Sequence, residues 1–227
     1  MIPRDHGRFV SGENRAAAAR NARYRAVLFD LLTALLDSWS VWDAAAGGAE
    51  PGRRWRAAYL RKNYQTGAYR PYEAIVGEAA AESGLAPDAT GRLIALWRDI
   101  RPWPDVKPVL EEIRASIPIA VVTNCSERLG QLAILATGVP FNSVVTAERA
   151  GYYKPDPRTY GLALSELGVD ARDCLMVAGS PYDLYGAKAT GMDAYWHNRV
   201  GLPAPPGMPE PLLESRTLHA LPSLIFG

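Results

Sequence analysis

Two carboxylates and one lysine, Asp30, Asp183 and Lys154, stand just beyond apolar runs of this sequence, as do Thr123-Asn124 and Ser180. A carboxylate can serve as a nucleophile when a nearby cation keeps it ionised, and Lys154 is of the type to do so. Asp183 can hold that lysine or activate a water. Thr123, Asn124 and Ser180 add small hydrogen-bonding groups able to bind or orient a polar ligand. Taken singly, Asp30 reads equally well as a turn cap, and Lys154 or Asp183 reads better as a structural cap or a surface ion pair. Their shared position, each after a strand-like run, is what argues for one site.

The runs themselves are Ala26–Phe29, Ile119–Thr123, Ser143–Thr146, Cys174–Val177 and Asp193–Trp196. Short continuous apolar runs fit strands buried on both faces of a parallel sheet. Between them lie helical faces: Val106, Val109, Leu110 and Ile113; Leu129, Leu132, Ala133 and Ala136; and Tyr160, Ala163, Leu164 and Leu167, the last closed by Gly168. Alternating strands and helices imply crossover connections and a Rossmann-like α/β core. In such a sheet every strand ends on the same edge, so residues far apart in sequence can converge there.

Residues 38–103 differ in character. They hold five of the six tryptophans (Trp39, Trp42, Trp55, Trp97 and Trp103) with helical periodicity and breaks at Gly47-Gly48, Gly67, Pro71, Gly84 and Pro87. This reads as a helical module inserted into a core formed by residues 25–37 and 104–227. Residues 1–24 read as a mobile basic arm, since six arginines face two acids up to Arg25. The tail from Leu202 to Pro211 holds five prolines and reads as an extended surface loop.

Composition bounds the rest. A hydrophobic fraction of 48% and a charged fraction of 22% are those of a globular protein. The net charge of +1 argues against a nucleic-acid partner. No apolar run approaches the ~18 residues of a membrane span. His6, His197 and His219 lack metal-ligand spacing, which sets a zinc site aside. Cys125 and Cys174 lie in or beside apolar runs, and a reduced, cytoplasmic setting is the expectation.

Four segments in this order resemble the motifs of the haloacid dehalogenase superfamily of hydrolases. They are Phe29-Asp30-Leu31-Leu32-Thr33-Ala34-Leu35, Thr123-Asn124, Lys154-Pro155-Asp156-Pro157 and Ser180-Pro181-Tyr182-Asp183-Leu184-Tyr185-Gly186-Ala187. The resemblance covers about residues 25–200 and implies a helical cap domain over a catalytic aspartate. Magnesium-dependent phosphatases of the superfamily carry an acid where this chain has Leu32, and an aspartate where it has Gly179. The pattern is closer to the L-2-haloacid dehalogenases, which need no metal or other cofactor.

That similarity implies Asp30 as nucleophile, with Lys154 and Asp183 completing the catalytic set and a small carboxylic acid as substrate. It places the Trp55-Arg56 pair in the cap, with Arg56 meeting the substrate through its bidentate fork; Arg53 and Arg54 are neighbours of the same type. Thr123, Asn124, Tyr160 and Ser180 become substrate-binding candidates, and Trp39, close behind the first motif, the aromatic expected on the site wall. Ala34, Thr123, Ala178 and Ser180 depart from the dehalogenase pattern. A related branch opens azetidine-2-carboxylate by the same attack at carbon, which makes a strained C–N bond the alternative to carbon–halogen. Further alternatives are a magnesium-dependent small-molecule phosphatase and a non-catalytic binding protein. Dehalogenase relatives are often dimers, so the resemblance allows a homodimer, although no patch in the sequence marks one.

Overall fold

A computed structural model describes residues 21–227. The strands are β1 (Ala26–Phe29), β2 (Ile119–Thr123), β3 (Ser143–Thr146), β4 (Cys174–Ala178), β5 (Asp193–His197) and β6 (Leu213–Ser215). They form one parallel sheet in the order β3-β2-β1-β4-β5-β6. Every residue of β1, β2 and β4 is buried, as a sheet covered on both faces requires. Phe29 pairs with Val121 on one side and Val177 on the other. The strand order therefore reverses about β1, and the crevice beyond its carboxyl end is where such sheets bind ligands.

The helices around the sheet are α5 (Val106–Arg114), α6 (Glu127–Thr137), α7 (Ala147–Ala150), α8 (Pro157–Leu167), α9 (Pro181–Thr190) and α10 (Leu221–Phe226). The buried face of α5 is Val106, Val109, Leu110 and Ile113, as its periodicity predicts. Helices α6 and α8 bury Leu129 and Ala133, and Tyr160, Ala163 and Leu164, respectively. β6 is a difference from the sequence reading: three residues, two of them exposed, leave no apolar run to detect.

Between β1 and α5 lie α1 (Ser38–Ala46), α2 (Ala49–Thr66), α3 (Tyr72–Glu82) and α4 (Ala89–Leu96). They pack through a chain of aromatic rings: Trp42 with Trp55 (4.7 Å between centroids), Trp42 with Tyr59 (5.2 Å), Tyr59 with Tyr72 (5.5 Å) and Tyr72 with Trp97 (6.0 Å). Buried indoles need a partner, and Trp55 Nε1 donates to the Val76 carbonyl (2.9 Å) inside this cap. Other aromatic donors cross between cap and sheet domain. Trp97 Nε1 donates to Leu129 O (2.9 Å), Tyr153 Oη to Arg70 O (2.7 Å) and Trp103 Nε1 to Thr33 O (3.2 Å). Cap and sheet side chains belong to one contiguous hydrophobic core.

Residues 1–20 of the expected basic arm lie outside the described residues. Its last residues are fastened down: the Arg23 amide donates to Ile225 O (2.8 Å), and the buried Tyr24 donates its hydroxyl to Asp193 Oδ2 (2.5 Å). Among the described residues, no helix is long and apolar enough to cross a membrane.

Candidate active site

The Asp30 amide still donates to Val177 O (3.0 Å), so the backbone leaves the sheet only as the side chain reaches its edge. Asp30 Oδ2 accepts from Thr33 N (2.9 Å), Thr33 Oγ1 (2.6 Å) and Ala34 N (3.0 Å), while Oδ1 accepts from Lys154 Nζ (2.8 Å). One oxygen of Asp30 thus caps the turn, and the other meets the lysine. The turn is held from behind by His197, at the end of β5, whose Nδ1 lies 2.7 Å from Ala34 O. A carbonyl can only accept, so Nδ1 carries the proton.

Lys154 arrives on the loop between α7 and α8. The Asn124 side chain grips its backbone, Oδ1 accepting from Lys154 N (2.7 Å) and Nδ2 donating to Lys154 O (3.1 Å). Nζ spans Asp30 Oδ1 and Asp183 Oδ1, the latter at 2.7 Å. Asp183 is the third residue of α9, and its Oδ2 accepts from Gly179 N (3.3 Å), Ser180 N (3.3 Å) and Ser180 Oγ (3.4 Å) in a capping box. Asp30, Lys154 and Asp183 are 6%, 4% and 3% exposed, so water screens their charges little.

Burial alone would raise the pKa of Asp30, but the Lys154 ammonium and the Thr33 donors outweigh it and hold the carboxyl below its usual range. For Asp183, burial prevails with help from the Asp30 charge against the pull of Lys154, and its pKa rises. Burial works against a charged Lys154, yet Asp183 and Asp30 overcome it and raise its pKa. The cluster therefore separates its carboxylates into one held ionised and one more basic than usual.

These groups border a cavity of about 310 Å³ between sheet edge and cap. Of the expected site residues, Asp30, Trp39, Arg56, Asn124, Lys154, Ser180 and Asp183 line it. Arg53 and Arg54 are exposed, and Arg54 pairs with Glu50. Arg56 turns inward: it is 6% exposed, its guanidinium carbon lies 3.8 Å from the Trp39 ring centroid, and Nη1 donates to Ser38 Oγ (3.0 Å). Among the described residues it has no other hydrogen bond, and its Nε has no partner. Burial pushes its pKa down, but a guanidinium is so basic that Arg56 keeps its charge. A buried cation without an anion on a cavity wall is a receptor for one.

Two expected substrate contacts are corrected, because Thr123 and Tyr160 are fully buried and not on this wall. Thr123 ends β2 facing Cys125, whose Sγ lies 3.9 Å from Thr123 Oγ1. Tyr160 sits in the core against Gly186 of α9, where an added Cβ would come within 2.2 Å of its hydroxyl. Conversely, Tyr59, Leu60, Asn63 and Tyr64 join the wall. With Arg56 they follow helical spacing along one face of α2, a signal present in the sequence. Leu202, Pro203 and Pro205 of the proline-rich tail and Tyr182 of α9 complete it, Tyr182 stacking on Tyr64 at 3.7 Å.

The donor set does not fit a divalent cation. The Leu32 side chain contributes no oxygen, and a Cβ at Gly179 would lie 2.2 Å from Thr33 Oγ1, 2.3 Å from Ala34 N and 2.6 Å from Asp30 Oδ2. No ligating side chain can therefore be accommodated at Gly179, while Asp30 Oδ2 is already occupied by three donors.

A family model for haloacid dehalogenase-like hydrolases matches residues 24–191. The chain is 29% identical over 193 residues to (S)-2-haloacid dehalogenase H-109 of Pseudomonas putida, covering 77% of this chain and 86% of that protein. It is 31% identical over 142 residues to a phosphoserine phosphatase of Thermus thermophilus, covering 59% of this chain and 57% of the relative. Its fold is similar to that of L-2-haloacid dehalogenase from Xanthobacter autotrophicus with chloropropionic acid covalently bound. The TM-score is 0.78 at 24% identity, covering 88% of this chain and 98% of that one.

Proposed function

Because the chain belongs to the haloacid dehalogenase-like hydrolases, we propose that it is a metal-independent member displacing a leaving group, such as halide, from C2 of a small carboxylic acid. One observation carries this reading: the Asp30–Lys154–Asp183 cluster shares a small cavity with Arg56, a buried cation that has no ion-pair partner among the described residues. Arg56 takes the substrate carboxylate. Asp30 Oδ1, which accepts one hydrogen bond where Oδ2 accepts three, supplies the electron pair that attacks C2. The carbon–leaving-group bond breaks with its electrons on the departing group, and Asp30 is left as an ester. Halide departs without a proton, so Leu32 in place of an acid costs nothing.

Asp183 then takes a proton from water, which attacks the ester carbonyl carbon. As the tetrahedral intermediate collapses, the departing alkoxide takes the water's remaining proton and leaves as the 2-hydroxy acid; Asp30 is restored as a carboxylate with one oxygen from that water, and Asp183 gives its proton to solvent. Its raised pKa makes Asp183 a better base than an ordinary aspartate. Two measurements test the scheme. In EDTA the enzyme should turn over one member of a panel of 2-chloropropanoate, fluoroacetate and azetidine-2-carboxylate, whereas a strict magnesium requirement would overturn it. In H₂¹⁸O, with enzyme in excess, label should enter the Asp30 carboxylate; label found only in the product would mean direct attack by water.

Two variants follow from the same geometry. Arg56→Ala should raise KM for 2-chloropropanoate about 10- to 100-fold, the worth of charge-assisted hydrogen bonds, with a smaller change in kcat. Arg56→Lys should restore only part of it, because an ammonium lacks the fork; steady-state kinetics reads both. Asp183→Asn should lower kcat by about 10²–10⁴ and accumulate the ester, visible by mass spectrometry of the intact protein. In the wild type, kcat should fall as pH drops through the Asp183 pKa, above the ordinary value of about 3.9, because the base is active only when deprotonated.

A further inference from the structure

On the cap side of the cavity, the hydrogen bonds of Asn63 settle which end of its amide is free. Tyr59 Oη lies 3.1 Å from the Asn124 carbonyl oxygen, which can only accept, so the phenol proton is committed there. The phenol oxygen is then left to accept, and Asn63 must turn its Nδ2 toward it, at 2.7 Å. Asn63 Oδ1 therefore faces away from Tyr59, and no donor among the described residues reaches it. The residue is 1% exposed and lies on the cavity wall, seven positions along α2 from Arg56. An unpaired buried acceptor is destabilising, and a chain seldom keeps one without a use for it.

The geometry points to Asn63 as a specificity-determining residue that accepts a hydrogen bond from an O–H or N–H group of the substrate. Resting on the proposed reading of Arg56, the preferred substrate is then a small carboxylic acid bearing a second, donor-carrying substituent rather than a bare alkyl chain. Arg56 takes the anion and Asn63 the donor, two complementary groups on one helix face.

Binding of unreactive acids tests this independently of turnover. Titration calorimetry would compare 3-hydroxypropanoate with butanoate, and 4-hydroxybutanoate with pentanoate, isosteric pairs in which a hydroxyl replaces a methyl group. An apolar wall alone favours the methyl member of each pair, because the hydroxyl loses its water without gaining a partner. The expectation is a preference of about tenfold or more for the hydroxyl member of at least one pair, lost in Asn63→Leu and in the smaller change Asn63→Ala. A preference for the methyl member in both pairs overturns the proposal, as does a hydroxyl preference that survives either folded variant. If the preference holds while no acid of the turnover panel reacts, it is the displacement chemistry that fails and the role of Asn63 stands.

Discussion

Asp30→Asn is expected to abolish turnover, with kcat falling by about 10⁴ or more, the scale of losing a covalent nucleophile. The exchange preserves size, so the loss would not be one of shape. What disappears is the negative oxygen at 2.8 Å from Lys154 Nζ. An amide nitrogen in either position would also meet donors, from Thr33 and Ala34 on one side or from the ammonium on the other. Folding should survive, since the apolar strand β1 is untouched; circular dichroism would confirm it. Single-turnover labelling would then show no ¹⁸O entering residue 30. A folded variant retaining more than about 1% of wild-type kcat would exclude a covalent role for Asp30.

Lys154→Met should be nearly as damaging, and in two ways. It leaves Asp30 and Asp183 buried and facing one another without the ammonium that spans them at 2.8 and 2.7 Å. Breaking such a pair from one side costs about 3–5 kcal/mol, so the urea midpoint should fall clearly. Without the cation, burial governs Asp30 and raises its pKa instead of yielding to Lys154. Residual activity should thus move to higher pH, with kcat down about 10³ at neutrality. Lys154→Arg should not rescue it, because a planar guanidinium is larger than the point charge the two oxygens enclose. Retention of a tenth of the activity by Lys154→Met, with an unshifted pH profile, would show that the lysine does not steady the nucleophile.

How far the site was legible in the sequence depends on how each residue is held. Asp30, Asn124, Lys154, Ser180 and Asp183 stand at or just beyond strand ends, and a parallel sheet brings strand ends together whatever lies between them. Arg56 was legible through the resemblance, and its inward direction could have been read from the spacing to Tyr59, Leu60, Asn63 and Tyr64. Thr123 and Tyr160 misled because a residue beside a site in sequence can face the core; Tyr160 is fixed there by its close approach to Gly186. The Leu202–Pro205 wall was read as surface, since a proline-rich stretch has no periodicity to show which side packs. The orientation of Asn63 was beyond any sequence reading, as it depends on a carbonyl more than sixty residues away in the chain.

The aromatic hydrogen bonds that cross between cap and sheet, and the hydrophobic core the two share, bear on how this molecule comes apart. Lifting the cap would strip water-averse surface from both sides and strand several carbonyls at once. The lid and its base should therefore melt cooperatively, as a single thermodynamic unit, and damage to an indole in the lid should be felt as lost stability of both.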